Sequence, residues 1–422
     1  MSTIPSSENN SLQHATHGQL LNATALNHRE LFCMNAKVVA GEVYTVNGVS
    51  WTHAGSRSES MIAFPELTAE NAGTTLDKII GYYLNHPPKG VGCWSLDPAQ
   101  PADLGVKLLA RGFQPGWRPQ WMSLDLANIA TDYPVPRYLE IKADSHTPIY
   151  QVKELPYASL KDSGVNYAVL QAFPDRTQRF IAVLNGRIVA QSAVLLAAGV
   201  AGIYNVGVVP DERDQGIGKA IVLAACAFAK EKGYHYAVLN ATGRRMYQKA
   251  GFEWMGDGWT WWLKGSNLVN NPPSAAQVAI AEAIGTGNLI AHTDTALLNQ
   301  PLTNGMTLMQ LAVHCHQPAS AEWLMKHGVA CTVLDAWDLG WKERATALLK
   351  NDPALVNFQY GERHATLLHL AAERNDMALA ALALSANPDL QLRDYIYNST
   401  ALDWAKHLNR ITIQQLITSY LT

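Results

Sequence analysis

At 422 residues the chain exceeds what one hydrophobic core ordinarily supports, so two or three domains are expected. With 48% hydrophobic and 16% charged residues it can fill buried cores, and a formal net charge of -3 with interspersed signs excludes a general nucleic-acid binder, which needs basic surface to neutralise phosphates. Five scattered cysteines, Cys33, Cys93, Cys226, Cys315 and Cys331, are too few for a disulfide framework and point to a reducing, cytoplasmic compartment.

The opening MSTIPSSENNSLQHATHGQ has no basic start followed by an apolar core, and no run of about 18 apolar residues occurs, so residues 1–18 read as a flexible polar tail and no membrane partner is expected. Seams rich in Pro or Asn, TDYPVPR and GSNLVNNPPS, divide the remainder into blocks 19–132, 133–265 and 275–422. In the first two, stretches such as RFIAVLNGRIVAQSAVLL and AGIYNVGVV, rich in β-branched and aromatic residues, read as strands.

The first two blocks end alike. VGCWSLD precedes DLGVKLLARGFQPGWRPQWMSLDL, and HYAVLNAT precedes GRRMYQKAGFEWMGDGWTWWL, which sets Gly112-Phe113 against Gly251-Phe252 and Leu108 against Tyr247. The parallel suggests a duplicated fold. Trp94, Trp117 and Trp121 in the first block read either as core or as the wall of a substrate cavity between the halves.

The second block holds RDQGIGKA between a strand-like run and a helix-like one, and nothing matches it in the first block, where no phosphate cradle is expected. Arg213 and Ala220 stand where a nucleotide P-loop needs glycine and a hydroxyl, and the third glycine of the dinucleotide fingerprint is missing. The remaining R-x-x-G-x-G has two readings, a turn that only connects, or an anion site made of free N–H groups at a helix start with Lys219 adding charge. In the following helix Ile217, Ile221, Ala224 and Phe228 share one face, and Gly233 is a natural stop. Cys226, inside this Ala-rich helix, reads as packed rather than nucleophilic.

With AGIYNVGVV before it and MYQKAGF after it, this segment, roughly Tyr138 to Lys264, resembles the GNAT superfamily of acetyl-coenzyme A-dependent N-acyltransferases. The resemblance implies a pyrophosphate cradle over Arg213, Gln215, Gly216, Ile217, Gly218, Lys219 and Ala220, and main-chain pairing of the pantetheine arm with Val206, Val208 and Val209. It implies that Tyr247, a phenol with a pKa of about 10, protonates the leaving thiolate, the alternative being a packing role under the last strands. Asn240 is either a contact to the cofactor arm or a turn cap. No general base is legible, since AGIYNVGVV contains no Glu or Asp; Tyr204, Asn205 and an ordered water are the candidates.

The last block repeats. TLMQLAVHCHQ, TLLHLAAERND and TALDWAKHLNR begin at Thr307, Thr366 and Thr400, with a weaker unit, LDAWDLGWKERATALLKNDPALVN, between the first two. Thr366, Leu368, His369 and Ala371 fill the T-x-L-H-x-A positions by which the block resembles ankyrin repeats, with Leu367 and Ala401 where proline is usual and Trp337 where a small residue is usual. The resemblance implies a surface for a protein partner, for self-association, or for packing on the enzyme. His314, His316 and Cys331 have ligand-like types but lack zinc-site pairing, so no metal is expected.

The expected architecture is an α/β (α+β) GNAT acyltransferase fold, duplicated, with a degenerate first half, followed by an all-α ankyrin-repeat domain. The expected reaction moves an acetyl group from acetyl-coenzyme A to a primary amine of a small molecule in a ternary complex. The alternatives are a protein acetyltransferase whose repeats recruit the target, and a non-catalytic acyl-coenzyme A sensor.

Overall fold

The computed structural model describes residues 11–159, 164–241, 244–289 and 295–421, which fall into two compact units, Met1–Ser274 and Ala275–Thr422. Of the expected flexible tail, residues 1–10 lie outside the described residues, whereas the rest is anchored. The Leu12 N–H donates to the Gly199 carbonyl at 3.0 Å and the Ala15 N–H to the Tyr236 hydroxyl at 3.1 Å. Helix α1 (His17–Val38) then starts at a Thr16/Gln19 capping box.

The first half of the larger unit continues with β1 (Glu42–Val46), β2 (Val49–His53), β3 (Glu59–Ala63), α2 (Ala69–Asn85), β4 (Gly90–Leu96), α3 (Leu104–Ala110), the two-residue β5 (Gln114–Pro115) and β6 (Gln120–Asp125). The second contains β7 (Leu139–Ala143), α4 (Tyr167–Ala172), β8 (Thr177–Leu184), β9 (Arg187–Ala197), β10 (Val200–Val208), α5 (Ile217–Glu231), β11 (Tyr236–Asn240), α6 (Arg244–Lys249), β12 (Glu253–Lys264) and α7 (Gly265–Asn270). Asn47-Gly48 and Asn185-Gly186, all at positive φ, make the tight turns of the β1/β2 and β8/β9 hairpins.

The strands form one sheet in the order β1-β2-β3-β4-β12-β6-β11-β10-β9-β8-β7, with β5 against β12. Each half has a parallel pair, β3/β4 and β10/β11, and each sends its last strand across to the other: β6 runs antiparallel to β11, and β12 antiparallel to β4. At the centre β6 and β12 pair with each other. A boundary near residue 132 therefore divides the chain but not the sheet, because each half completes its pairing with the other's final strand.

The exchange follows equivalent turns. Gly112 and Gly251 have φ of 86° and 98°, and the next residue closes back on the preceding helix, Phe113 N–H to Leu108 O at 3.1 Å and Phe252 N–H to Tyr247 O at 3.0 Å. Both phenylalanines are buried and pin the turn. Helix α1 packs along the sheet across this junction, burying Leu20, Ala23, Thr24, Asn27, His28, Leu31 and Met34, a helical face that carries three polar side chains, Thr24, Asn27 and His28. In α5 the buried face is wider than the single stripe expected, taking in Ala220, Val222, Leu223, Ala225, Cys226 and Ala229, with Ala224 and Phe228 half-buried. Gly233, at φ 83°, ends it.

The smaller unit is helical. After α8 (Ala275–Thr286) the described residues form four pairs: α9 (Leu308–His314) with α10 (Pro318–Lys326), α11 (Val333–Asp338) with α12 (Lys342–Asn351), α13 (Leu367–Arg374) with α14 (Met377–Ser385), and α15 (Ala401–His407) with α16 (Ile411–Leu421). The first helix of each pair opens at a threonine, Thr307, Thr332, Thr366 or Thr400, in a capping box with Gln310, Asp335, His369 or Asp403. The unexpected Trp337 is accommodated: its indole N–H donates to Asp376 at 2.9 Å and Lys342 sits over its ring.

Candidate active site

The site begins with a split in the sheet. β10 pairs with β11 only through Ala201, Gly202 and Ile203. Beyond them, the three steps from Tyr204 to Gly207 face only two steps on β9, Ala193 to Gln191, so one extra residue bulges and bends the strand. Asn205 absorbs the bulge at φ 53°, a left-handed conformation that asparagine tolerates, and its Oδ1 accepts the Val165 N–H at 2.8 Å. The main chain past Ile203 consequently has no strand partner on its β11 side among the described residues, which leaves an edge that an extended ligand can pair with.

The start of α5 faces that edge. Its N-cap Gly216 lies at φ 84° and offers no side-chain cap, and the first intrahelical bond runs from Ala220 N–H to Gly216 O at 3.0 Å. The N–H groups of Ile217, Gly218 and Lys219 thus have no intrahelical acceptor. Helix α2, its counterpart in the first half, opens instead at a Thr68/Asn71 capping box that occupies the helix start, and no glycine pair stands there.

Together these features border a cleft of about 1290 Å³. Val206 and Val208 form one side and Gly216, Gly218 and Lys219 another, with Tyr133 and Pro134 beside them. Arg213, Lys219, Arg244, Arg245 and Lys249 line it, against the single lining carboxylate of Asp214 among the described residues. Cations gathered at an uncapped helix start make an anion site.

Not every expected site residue serves it. Val206, Val208, Arg213, Gly216, Gly218, Lys219 and Tyr247 line the cleft, and Ile217, its side chain buried, can offer only its N–H. Gln215 turns to Glu212 at 3.0 Å, and Arg213 Nε donates to the Val208 carbonyl at 3.2 Å. Val209 and Ala220 do not fit the donor role expected of them: the Val209 N–H is engaged by Val189 O at 2.9 Å and the Ala220 N–H by the helix. Tyr133, Arg244, Arg245 and Lys249 were not anticipated; the basic pair just ahead of MYQK was their only signal in the sequence.

A second cavity of about 270 Å³ adjoins the first, and Tyr157, Val206 and Tyr247 line both. Its other walls come from distant parts of the chain: His28, Leu31 and Phe32 on α1, Met61 on β3, Trp94 on β4, Trp117, Tyr204 on β10, Asn240 on β11 and Trp262 on β12. Trp94 and Trp117 are thus cavity walls, whereas Trp121 packs fully buried behind them. Asn240 belongs to this chamber rather than the cleft, and its Oδ1 accepts the Gln120 N–H at 3.3 Å. The Trp94 indole N–H is buried with no hydrogen-bond partner among the described residues.

Tyr247 stands where the cavities meet, edge-on to Phe252 with ring centroids 6.1 Å apart. Burial, reinforced by Tyr157, pushes its phenol well above the ordinary range, so it holds its proton at neutral pH. In the chamber the His28 ring stacks on Trp94 at 4.7 Å, and burial lowers its pKa to about 3, which keeps the imidazole neutral. Among the described residues, no group of three or more His, Cys, Asp or Glu could hold a metal ion, and no helix is long and apolar enough to cross a membrane.

Residues 136–252 match the model of the acetyltransferase (GNAT) family, a segment that contains the bulged strand, the uncapped helix start and Tyr247. This segment is a GNAT acetyltransferase domain. The family uses acyl-coenzyme A, and the GNAT domain here has the open strand edge and the anion site that such a molecule requires. Among solved structures, the chain is remotely similar to a GCN5-related N-acetyltransferase from Kribbella flavida, with 16% identity over 57% of this chain and 97% of that one and a TM-score of 0.45. It is similar to a tandem GNAT protein from the clavulanic acid biosynthesis pathway, with 16% identity over 59% and 95% and a TM-score of 0.42. A GCN5-related N-acetyltransferase from Sphaerobacter thermophilus gives 18% identity over 51% and 76% and a TM-score of 0.37. No curated protein matches the chain.

Proposed function

We propose that the protein transfers an acetyl group from acetyl-coenzyme A to the primary amine of a small molecule, by direct attack with both substrates bound. One observation carries the reading: the basic cleft and the aromatic chamber meet at Tyr247. The cleft fits the cofactor. Its pyrophosphate suits the N–H groups of Ile217, Gly218 and Lys219, its pantetheine arm suits the open edge at Val206 and Val208, and Arg244, Arg245 and Lys249 supply charge for a further phosphate. When bound, the cofactor supplies an activated acyl thioester whose thiolate must leave.

The chain's own groups account for the rest. Tyr247, uncharged and without a hydrogen-bond partner among the described residues, is available to protonate the departing sulfur. The chamber, walled largely by aromatic rings, suits a compact amine with an apolar body, held by ring faces rather than by an ion pair. On this reading the first half is the supporting one: Leu108 stands where Tyr247 does in the second and cannot donate a proton. For Ala275–Thr422 we propose an ankyrin-like stack serving a protein partner or self-association, supported by the four threonine-capped helix pairs and by His369, whose ring joins Thr366 Oγ1 at 2.8 Å to Ser399 O at 3.0 Å. All five cysteines are free, which suits a reducing compartment.

The test is a panel of primary amines assayed by thiol release from acetyl-coenzyme A, with mass spectrometry of the products. Stoichiometric thiol and N-acetylated product from a compact apolar amine are expected; binding without turnover across the panel would favour a sensor instead.

A further inference from the structure

We propose that His28, on α1, takes the proton from the acceptor amine, and that a hydrogen-bond chain fixes its imidazole in the tautomer able to do so; the proposal rests on the acyl-transfer reading above. The chain starts at the backbone. Asn27 Nδ2 lies 3.1 Å from Leu195 O, 3.0 Å from Ala197 O and 3.3 Å from Val200 O. Carbonyls only accept, so the amide nitrogen must face them and Oδ1 must face away. That oxygen also only accepts, so the Tyr204 hydroxyl 2.8 Å from it donates its single proton there.

The Tyr204 oxygen meets His28 Nδ1 at 3.3 Å with no proton left to give, so it can only accept, and Nδ1 carries the ring hydrogen. Nε2 therefore keeps its lone pair, and no described residue hydrogen-bonds it. Asn27 and His28 are buried, and the stacking of His28 on Trp94 fixes the ring plane. Of the titratable groups that line the chamber among the described residues, His28, Tyr157, Tyr204 and Tyr247, only the imidazole, kept neutral by burial, offers an unprotonated nitrogen to take a proton.

The amine nitrogen attacks the thioester carbonyl and a C–N bond forms; the nitrogen, now positive and far more acidic, gives one proton to His28 Nε2. The C–S bond breaks, the sulfur takes the electron pair and the Tyr247 proton, and transfer of the proton on His28 back to Tyr247 restores both groups. Amide and free thiol are the products.

Two measurements on the full chain test this. In ¹⁵N NMR of histidine-labelled protein at pH 7, His28 is expected to be protonated at Nδ1 and bare at Nε2, and Tyr204→Phe is expected to mix the tautomers; a His28 protonated at Nε2 overturns the proposal whatever the activity. In turnover assays, His28→Gln is expected to lose at least about 100-fold in kcat with acetyl-coenzyme A affinity unchanged. Tyr204→Phe should lose less, again in kcat, and His28→Gly should be partly rescued by added imidazole. Wild-type turnover in His28→Gln overturns the base role. If the wild type acetylates no amine, the acyl-transfer reading falls and the base role with it, while the tautomer result still shows whether the hydrogen-bond chain is right.

Discussion

A β-carbon built on Gly216 would lie 2.6 Å from the carbonyl oxygen of Pro134, so the segment that joins the two halves packs directly on the N-cap of α5. The same glycine sits at φ 84°. Substituting it confounds folding with binding, because any side chain there meets both strain and backbone. Gly216→Ala should destabilise the larger unit by about 1–2 kcal/mol, seen in its denaturation midpoint.

Gly218 separates the two effects. Its β-carbon would meet Val208 Cγ2 at 3.5 Å and Met246 Cε at 4.0 Å, which is ordinary contact. Gly218→Glu places a carboxylate in the first turn of α5, where the helix favours it, and in the cleft, where a phosphate would be repelled. The expected result in calorimetric titration is unchanged or raised stability with acetyl-coenzyme A affinity lowered at least about 100-fold, each close charge contact being worth about 1.5–3 kcal/mol. Unchanged affinity would remove the cradle assignment.

Tyr247→Phe deletes one oxygen at the meeting point of the two cavities and leaves the Phe252 contact intact. Acetyl-coenzyme A affinity should hold while kcat drops by about 100-fold or more. A normal rate would leave Tyr247 as a packing residue only.

Arg244→Ala combined with Arg245→Ala should weaken coenzyme A by at least about tenfold, with a shallower salt dependence, since both line the cleft. Comparing coenzyme A with its 3′-dephospho form shows which phosphate they read: equal losses for the two ligands would assign them to the pyrophosphate.

His28 makes the larger unit acid-sensitive. Its folded pKa of about 3 lies below the ordinary 6.5, so between these values the unfolded chain binds a proton that the native state does not. The stability it allows is complete above pH 6.5 and falls as pH drops toward 3, by about 1.4 kcal/mol per unit. Urea midpoints followed by tryptophan fluorescence should decline more steeply below pH 6.5 in the wild type than in His28→Gln; equal slopes would show that His28 is protonated without cost in the fold.

What the sequence revealed was local. RDQGIGKA, the strand before it and MYQKAGF after it are contiguous signals, because an uncapped helix start and a Gly-Phe turn are specified within a few residues. The chamber is not local: His28, Trp94 and Trp262 meet only because β6 and β12 cross between the halves, and no spacing in the chain encodes that exchange. Val209 and Ala220 went wrong for a related reason, since which N–H groups stay free depends on where the bulge and the first helical bond fall. The one trace of the proton acceptor was Asn27-His28 on a helix face that is mostly apolar, a pattern that marks a buried polar network without saying what it serves.

The central claim is that cofactor and acceptor meet at Tyr247, and a crystal structure of the wild-type chain with acetyl-coenzyme A tests it most directly. The account predicts the pyrophosphate on the N–H groups of Ile217, Gly218 and Lys219, the pantetheine arm along Val206 and Val208, and the thioester within hydrogen-bond reach of the Tyr247 hydroxyl, facing the chamber that holds His28. A cofactor bound elsewhere, or one whose thioester points away from Tyr247, would contradict it.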